Sequence, residues 1–177
     1  EDHHVDPQDG DLPRRCRLKI FIRTGVASGS VNFVDEDNRV LGWCAEQICC
    51  EDHSCCLYGS VDTVTEEEVV TDTDDMSEEE FELHTSGKEV RRVFNTIKTG
   101  SMVMDLGWLK GSTIDLPNYR IDPEYFKRDG CTAVFRLTNI RCKEAQLFVV
   151  LRNLHNGYYA HGFSLSVDGI RKIGGAL

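Results

Sequence analysis

The C-terminal third of the chain constrains the fold more than any other part. Residues 132–140, 145–154 and 158–167 form three runs dense in β-branched and aromatic side chains, a composition suited to the pleated, half-buried surface of a sheet. Asn156-Gly157 lies between the second and third runs. This pair is the strongest short hairpin signal, because a type I′ turn needs positive φ at both central residues. A two-residue turn there sets the register: His155 faces Tyr158, Leu154 faces Tyr159, Arg152 faces His161, Val150 faces Phe163, and Phe148 faces Leu165. One face of this expected hairpin is then almost wholly apolar. The other pairs Leu151, Val149 and Leu147 with Gly162, Ser164 and Ser166, a mixed surface that another element can cover. Asp168-Gly169 repeats the turn signal, so residues 170–173 are expected to return as a further short strand.

Upstream, Leu18, Ile20 and Ile22 alternate with Arg17, Lys19, Phe21 and Arg23, the pattern of a half-buried strand with a partly basic outer face. Residues 25–30 break it, and residues 31–34 and 40–44 read as a hairpin over the polar turn at Asp35. Residues 57–64 and 90–97 also read as strands, and the stretch from there to Tyr119 as irregular. Asp75 or Ser77 can cap a short helix whose first turn holds Glu78, Glu79 and Glu80, where the helix dipole favours anions. Asp122-Pro123 has the cap and first-turn proline of a second helix. Residues 1–15 lack an apolar period and read as an irregular arm. The 177 residues suit a single domain able to build a core without metal or disulfide staples. The expected fold is mainly β (α+β): a single-domain antiparallel β meander over 16–177, with one or two short helices and an acidic segment at 62–82.

Charge is unevenly distributed. The net value is -10, yet residues 40–87 contain 14 acids and no Lys or Arg, while the rest of the chain carries 20 bases against 16 acids. An anionic protein repels phosphate backbones and anionic lipid, which disfavours direct nucleic-acid or membrane binding. No apolar run approaches the roughly 18 residues of a membrane span. The carboxylates of Glu66, Glu67, Glu68, Asp72, Asp74 and Asp75 are instead a candidate surface for a protein partner. An array of this kind can imitate a phosphate backbone and occupy the basic groove of a nucleic-acid-binding protein; the plain alternative is a solvated face that keeps the chain soluble. Tyr158 and Tyr159 at the expected hairpin are a second candidate partner surface. The two histidines beside them, His155 and His161, point to opposite faces in the expected register and do not make a joint metal site.

Eight cysteines permit disulfides, but adjacent Cys49-Cys50 and Cys55-Cys56 pair awkwardly because successive strand residues point to opposite faces. Reduced thiols in a cytoplasm are expected. Cys44, Cys49, Cys50, His53, Cys55 and Cys56 form the densest group of soft ligands. Cys50-x2-His53 has a ligand-pair spacing, so Cys49, Cys50, His53 and Cys55 are the candidate zinc ligands; the competing reading is small thiols buried on adjacent strands. Thiol catalysis is disfavoured, since Glu46, Glu51 and Asp52 would raise a thiol pKa. Asp72, Asp74 and Asp75 suggest calcium, but Ser77 and Leu83 stand where an EF-hand loop needs Gly and Glu.

Two motifs add a resemblance. Glu46-Gln47-Ile48-Cys49-Cys50-Glu51 resembles the E-Q-x-C-C-E signature of an uncharacterised family of small phage and bacterial proteins, and Asn156-Gly157-Tyr158-Tyr159 is similar to that family's second mark, an N-G-Y-Y hairpin. The chain departs from the family pattern at Ala45 and Ile48 and adds Cys44, Cys55 and Cys56. The resemblance implies an accessory protein and carries no catalytic residue with it. The resulting expectation is a non-catalytic accessory or binding protein that meets a protein partner through its acidic segment, without a cofactor. The alternative is a Cys/His zinc protein whose metal is structural.

Overall fold

The computed structural model describes residues 17–24, 29–44, 52–106, 113–154 and 162–177. Among them the chain is mainly β, with antiparallel pairing throughout and one α-helix. The strands are β1 (Arg17–Thr24), β2 (Gly29–Val34), β3 (Val40–Cys44), β4 (Asp52–Tyr58), β5 (Val61–Val69), β6 (Arg91–Thr99), β7 (Met102–Asp105), β8 (Thr113–Pro117), β9 (Tyr119–Asp129), β10 (Thr132–Asn139), β11 (Gln146–Leu154), β12 (Gly162–Val167) and β13 (Ile170–Ala176); α1 spans Glu78–Thr85. A six-stranded sheet has the order β13-β12-β3-β2-β1-β8, a five-stranded sheet the order β7-β4-β11-β10-β9, and β5 pairs with β6 alone. No described helix is long and apolar enough to cross a membrane.

The two large sheets share one core, and period-2 alternation decides which residues enter it. Leu18, Ile20, Val31, Phe33, Leu41, Trp43, Phe163 and Leu165 come from the six-stranded sheet, and Leu57, Ile121, Phe135, Leu137, Val149 and Leu151 from the five-stranded one. Phe135 lies at its centre, with ring centroids 5.2 Å from Phe126 and 5.9 Å from Phe163. The buried Asn153 amide bonds the Leu177 O atom, tying the end of β13 to β11. A second, smaller cluster lies on the outer face of the five-stranded sheet, where Val134, Phe148 and Val150 meet Val61 and Ile97.

The expected hairpin between β11 and β12 does not form. β11 pairs with β10 on one side and β4 on the other, while β12 pairs with β3 and β13, so the two strands belong to different sheets. The reason is that β11 is apolar on both faces. Val149 and Leu151 fill the main core while Phe148 and Val150 fill the outer cluster, and a strand buried on both faces belongs at the centre of a sheet with neighbours on both edges. Phe148 and Val150 therefore do not share a face with Phe163 and Leu165. Residues 155–161, including Tyr158 and Tyr159, lie outside the described residues, as does the arm expected over 1–15.

The second helix is also absent: Asp122 and Pro123 lie within β9. Phe135 pairs with Phe126 but Arg136 pairs with Asp122, so Pro123, Glu124 and Tyr125 bulge from the ladder. Asp122 Oδ1 accepts from Glu124 N at 3.0 Å. An Asp-Pro pair thus serves an edge-strand bulge as well as it would a helix start, because proline lacks the N–H that a ladder would use. The stretch expected to be irregular before Tyr119 contains β7 and β8, and the strand expected over 57–64 is broken at Gly59-Ser60. Elsewhere β2 and β3 form the expected hairpin, and β12 turns into β13 through Asp168 (φ 52°) and Gly169 (φ 75°).

Candidate partner-binding arm

Strands β4 and β5 form one side of a long ribbon, and β6 and β7 the other. Pairing passes through the break: Gly59 N donates to Ser101 O at 3.2 Å and Gly100 N to Ser60 O at 3.0 Å. A Cβ on Gly100 would come within 2.1 Å of Ser60 Oγ, so a side chain there would force the Ser60 hydroxyl to rotate away. At its base the ribbon is fastened to the five-stranded sheet by Val61 and Ile97 and by three bonds. Lys127 Nζ donates to Thr63 Oγ1 at 2.8 Å, Ile97 N to Asp129 Oδ2 at 3.1 Å, and Arg152 Nη2 to Thr99 Oγ1 at 3.2 Å.

Beyond the base the ribbon leaves the body. The hydrogen bonds and ion pairs of residues 64–96 all stay within residues 61–99. The sequence accounts for this: Val61 to Val69 alternates poorly, with Thr63, Thr65 and Glu67 on one face and Asp62, Glu66 and Glu68 on the other, so neither face can seal against a sheet. A nine-residue strand reaches about 30 Å. At the far end Asp72 caps a short turn at Thr73–Asp75, and Ser77 caps α1 with Glu80 completing a capping box. No residue of α1 is buried. The helix is held to the ribbon by Arg92, which donates to Glu80 Oε1 at 2.9 Å and Oε2 at 2.8 Å. These bonds, with the Ser77 N–H, lower the Glu80 carboxyl to about 2. Lys98 and Thr96 likewise lower Glu66.

Residues 61–99 hold 12 acids against 4 bases. Glu66, Glu67, Glu80 and Glu89 are paired with Lys98, Arg91 or Arg92, whereas among the described residues Glu68, Glu78, Glu79 and Glu82 make no ion pair. Between these carboxylates Val64, Val69, Phe81, Leu83, Val93 and Phe94 are exposed, Val93 by 63%. They are six of the ten exposed large hydrophobic residues described. Sequence reasoning found the acids and missed this apolar component; the signal available was a pair of strands with polar residues on both faces and valine or phenylalanine interspersed.

The acidic candidates Glu66, Glu67, Glu68, Asp72, Asp74 and Asp75 thus lie on one projecting element. The zinc candidates are placed differently. Cys49 and Cys50 lie outside the described residues, as do both motifs of the family resemblance, and for His53 only the backbone, in β4, is described. Cys55 is buried in the main core, where burial pushes its thiol well up. Cys56, the next residue of β4, is buried on the opposite face, its thiol raised by burial and by Asp105. Neither is an activated nucleophile. Among the described residues no group of three His, Cys, Asp or Glu could hold a metal. Comparisons with protein-family models, curated proteins and solved structures find no match to this chain.

Proposed function

We propose that this chain is a non-catalytic accessory protein that engages a basic protein partner through the arm of β5, β6 and α1. The supporting observation is that, among the described residues, 64–96 make their hydrogen bonds and ion pairs only within the ribbon, residues 61–99, while displaying carboxylates outside any ion pair around exposed Val93, Phe94, Phe81 and Leu83. Folding of the sandwich does not account for such a surface. Partner binding does: carboxylates steer and orient a cationic surface, and a few apolar side chains provide the desolvated contact that holds it. The resemblance in residues 46–51 and 156–159 supports an accessory role of phage or bacterial type, and the thiols a reducing, cytoplasmic setting.

The test is titration of the intact protein with an Arg/Lys-rich peptide and with a basic nucleic-acid-binding protein, at low and at physiological salt. Saturable binding that weakens with salt, and weakens further when Glu68, Glu78, Glu79 and Glu82 are changed to Gln, is expected. No binding to either probe at low salt would end the proposal.

A further inference from the structure

A cleft of about 530 Å³ opens at one end of the five-stranded sheet, where β9 begins and β10 ends. Its volume falls in the range of small-ligand sites. Ile121, Pro123 and Ile140 supply apolar lining, and Arg39, Arg120, Arg136 and Lys143 bring cations to it. The three arginines are held by carboxylates. Arg39 Nη2 bonds Asp37 at 3.1 Å, Arg120 pairs with Glu36, and Arg136 Nε bonds Asp122 at 3.0 Å while its guanidinium stacks 4.4 Å from the Tyr125 centroid. Arg39 Nε also lies 3.8 Å from the buried Asp35 carboxylate, and together these contacts fix the guanidinium groups and neutralise their charge. Lys143 makes no ion pair, and the Thr138 hydroxyl is buried without a hydrogen-bond partner although it lines the cleft. An orphaned hydroxyl costs free energy unless something meets it.

We propose that this cleft binds a small organic monoanion, a carboxylate carried on an apolar body. Lys143, which no ion pair holds and which Glu144 offsets only through space, supplies the charge, Thr138 a hydrogen bond, and the Ile121–Pro123–Ile140 lining the contact for the body. The site is remote in sequence from the arm and does not depend on the arm's role.

Benzoate is a suitable probe, with acetate (charge alone) and benzyl alcohol (ring alone) as comparisons, followed by NMR of the intact protein. Benzoate is expected to saturate shifts at Thr138, Ile140 and Lys143 and to bind about tenfold more tightly than either comparison compound. Lys143→Met and the near-isosteric Thr138→Val should each weaken it, the former by about tenfold. Shifts that fail to saturate, equal binding of all three compounds, or full binding by both variants would overturn the proposal.

Discussion

The sandwich and the arm are both β-structure built from adjacent stretches of one chain, yet they obey different rules. In the sandwich nearly every inward residue is apolar and close-packed, with Phe33, Phe135, Leu137 and Leu151 fully buried. In the arm the strands hold together by their own ladder, by the buried pair Val70 and Val90 at the far end, and by surface ion pairs, which contribute little because water screens them. The comparison separates residues retained for packing from residues free to serve a surface. It breaks most readily at Phe135. Phe135→Ala is expected to cost about 3–5 kcal/mol by leaving a cavity beside the rings of Phe126 and Phe163, whereas Val93→Ala in the arm should change stability by less than about 0.5 kcal/mol. Denaturant unfolding of both variants checks the contrast; a comparable loss from Val93→Ala would mean that the arm packs on the body.

The joint between the two regions comes next in size. Ile97 is 8% exposed and lies in the small cluster with Val134, Phe148 and Val150. Ile97→Ala should cost about 2 kcal/mol, at the low end of such truncations because the cluster is small. Hydrogen exchange should then show faster opening of β5 and β6 with β10 protected. Uniform acceleration across both strands and the sandwich would show that arm and body open as one unit.

What the chain reveals before folding follows the same division. The core strands β10 and β11 were legible because their apolar runs have no other outlet, and α1 was legible from Ser77 and Glu80, whose capping chemistry is local. The partner of β11 was not legible. Asn156-Gly157 advertises a local turn, but apolar residues on both faces of Val149-Val150-Leu151 required the centre of a sheet, and a central position is a property of the whole fold. Asp122-Pro123 misled for a related reason: its chemistry suits a helix start and an edge bulge equally, and pairing with Phe135-Arg136 decided between them. The acidic candidates could be found from charge alone, while the cleft could not, since Arg39, Arg120 and Lys143 are far apart along the chain and only the end of the sandwich brings them together.

A smaller effect concerns the tip. Glu80 ionises with a pKa lowered from 4.5 to about 2 by Arg92 and the Ser77 backbone. A carboxylate lowered on folding contributes stability that is complete above 4.5 and is lost as the pH falls from there towards about 2. Protonation also weakens the Glu80 half of the capping box, because the neutral carboxyl is the poorer acceptor for the Ser77 N–H. Helix α1 is therefore expected to fray in this acid window before the sandwich responds, and Arg92→Met should produce the same fraying at neutral pH. Residue-resolved NMR of α1 against β10 reads both; loss of the two together would mean that the tip and the core share one transition.

The smallest effect on folding is expected where the effect on binding is largest. Glu78, Glu79 and Glu82 lie on α1, no residue of which is buried, and none makes an ion pair among the described residues. Changing all three to Gln removes a favourable interaction of Glu78 and Glu79 with the helix dipole, but it also relieves repulsion among like charges three and four positions apart. These terms oppose each other, so stability should stay within about 0.5 kcal/mol. Electrostatic attraction to a cationic partner has no such compensation, because each lost carboxylate weakens steering in the same direction. The variant should thus unfold like the parent while associating more slowly with a basic probe at low salt, and the two should converge at high salt. Stopped-flow association beside equilibrium unfolding distinguishes this outcome from its contrary: an unchanged association rate would place recognition on the apolar residues Phe81, Leu83, Val93 and Phe94, and would leave the carboxylates as a solvated face.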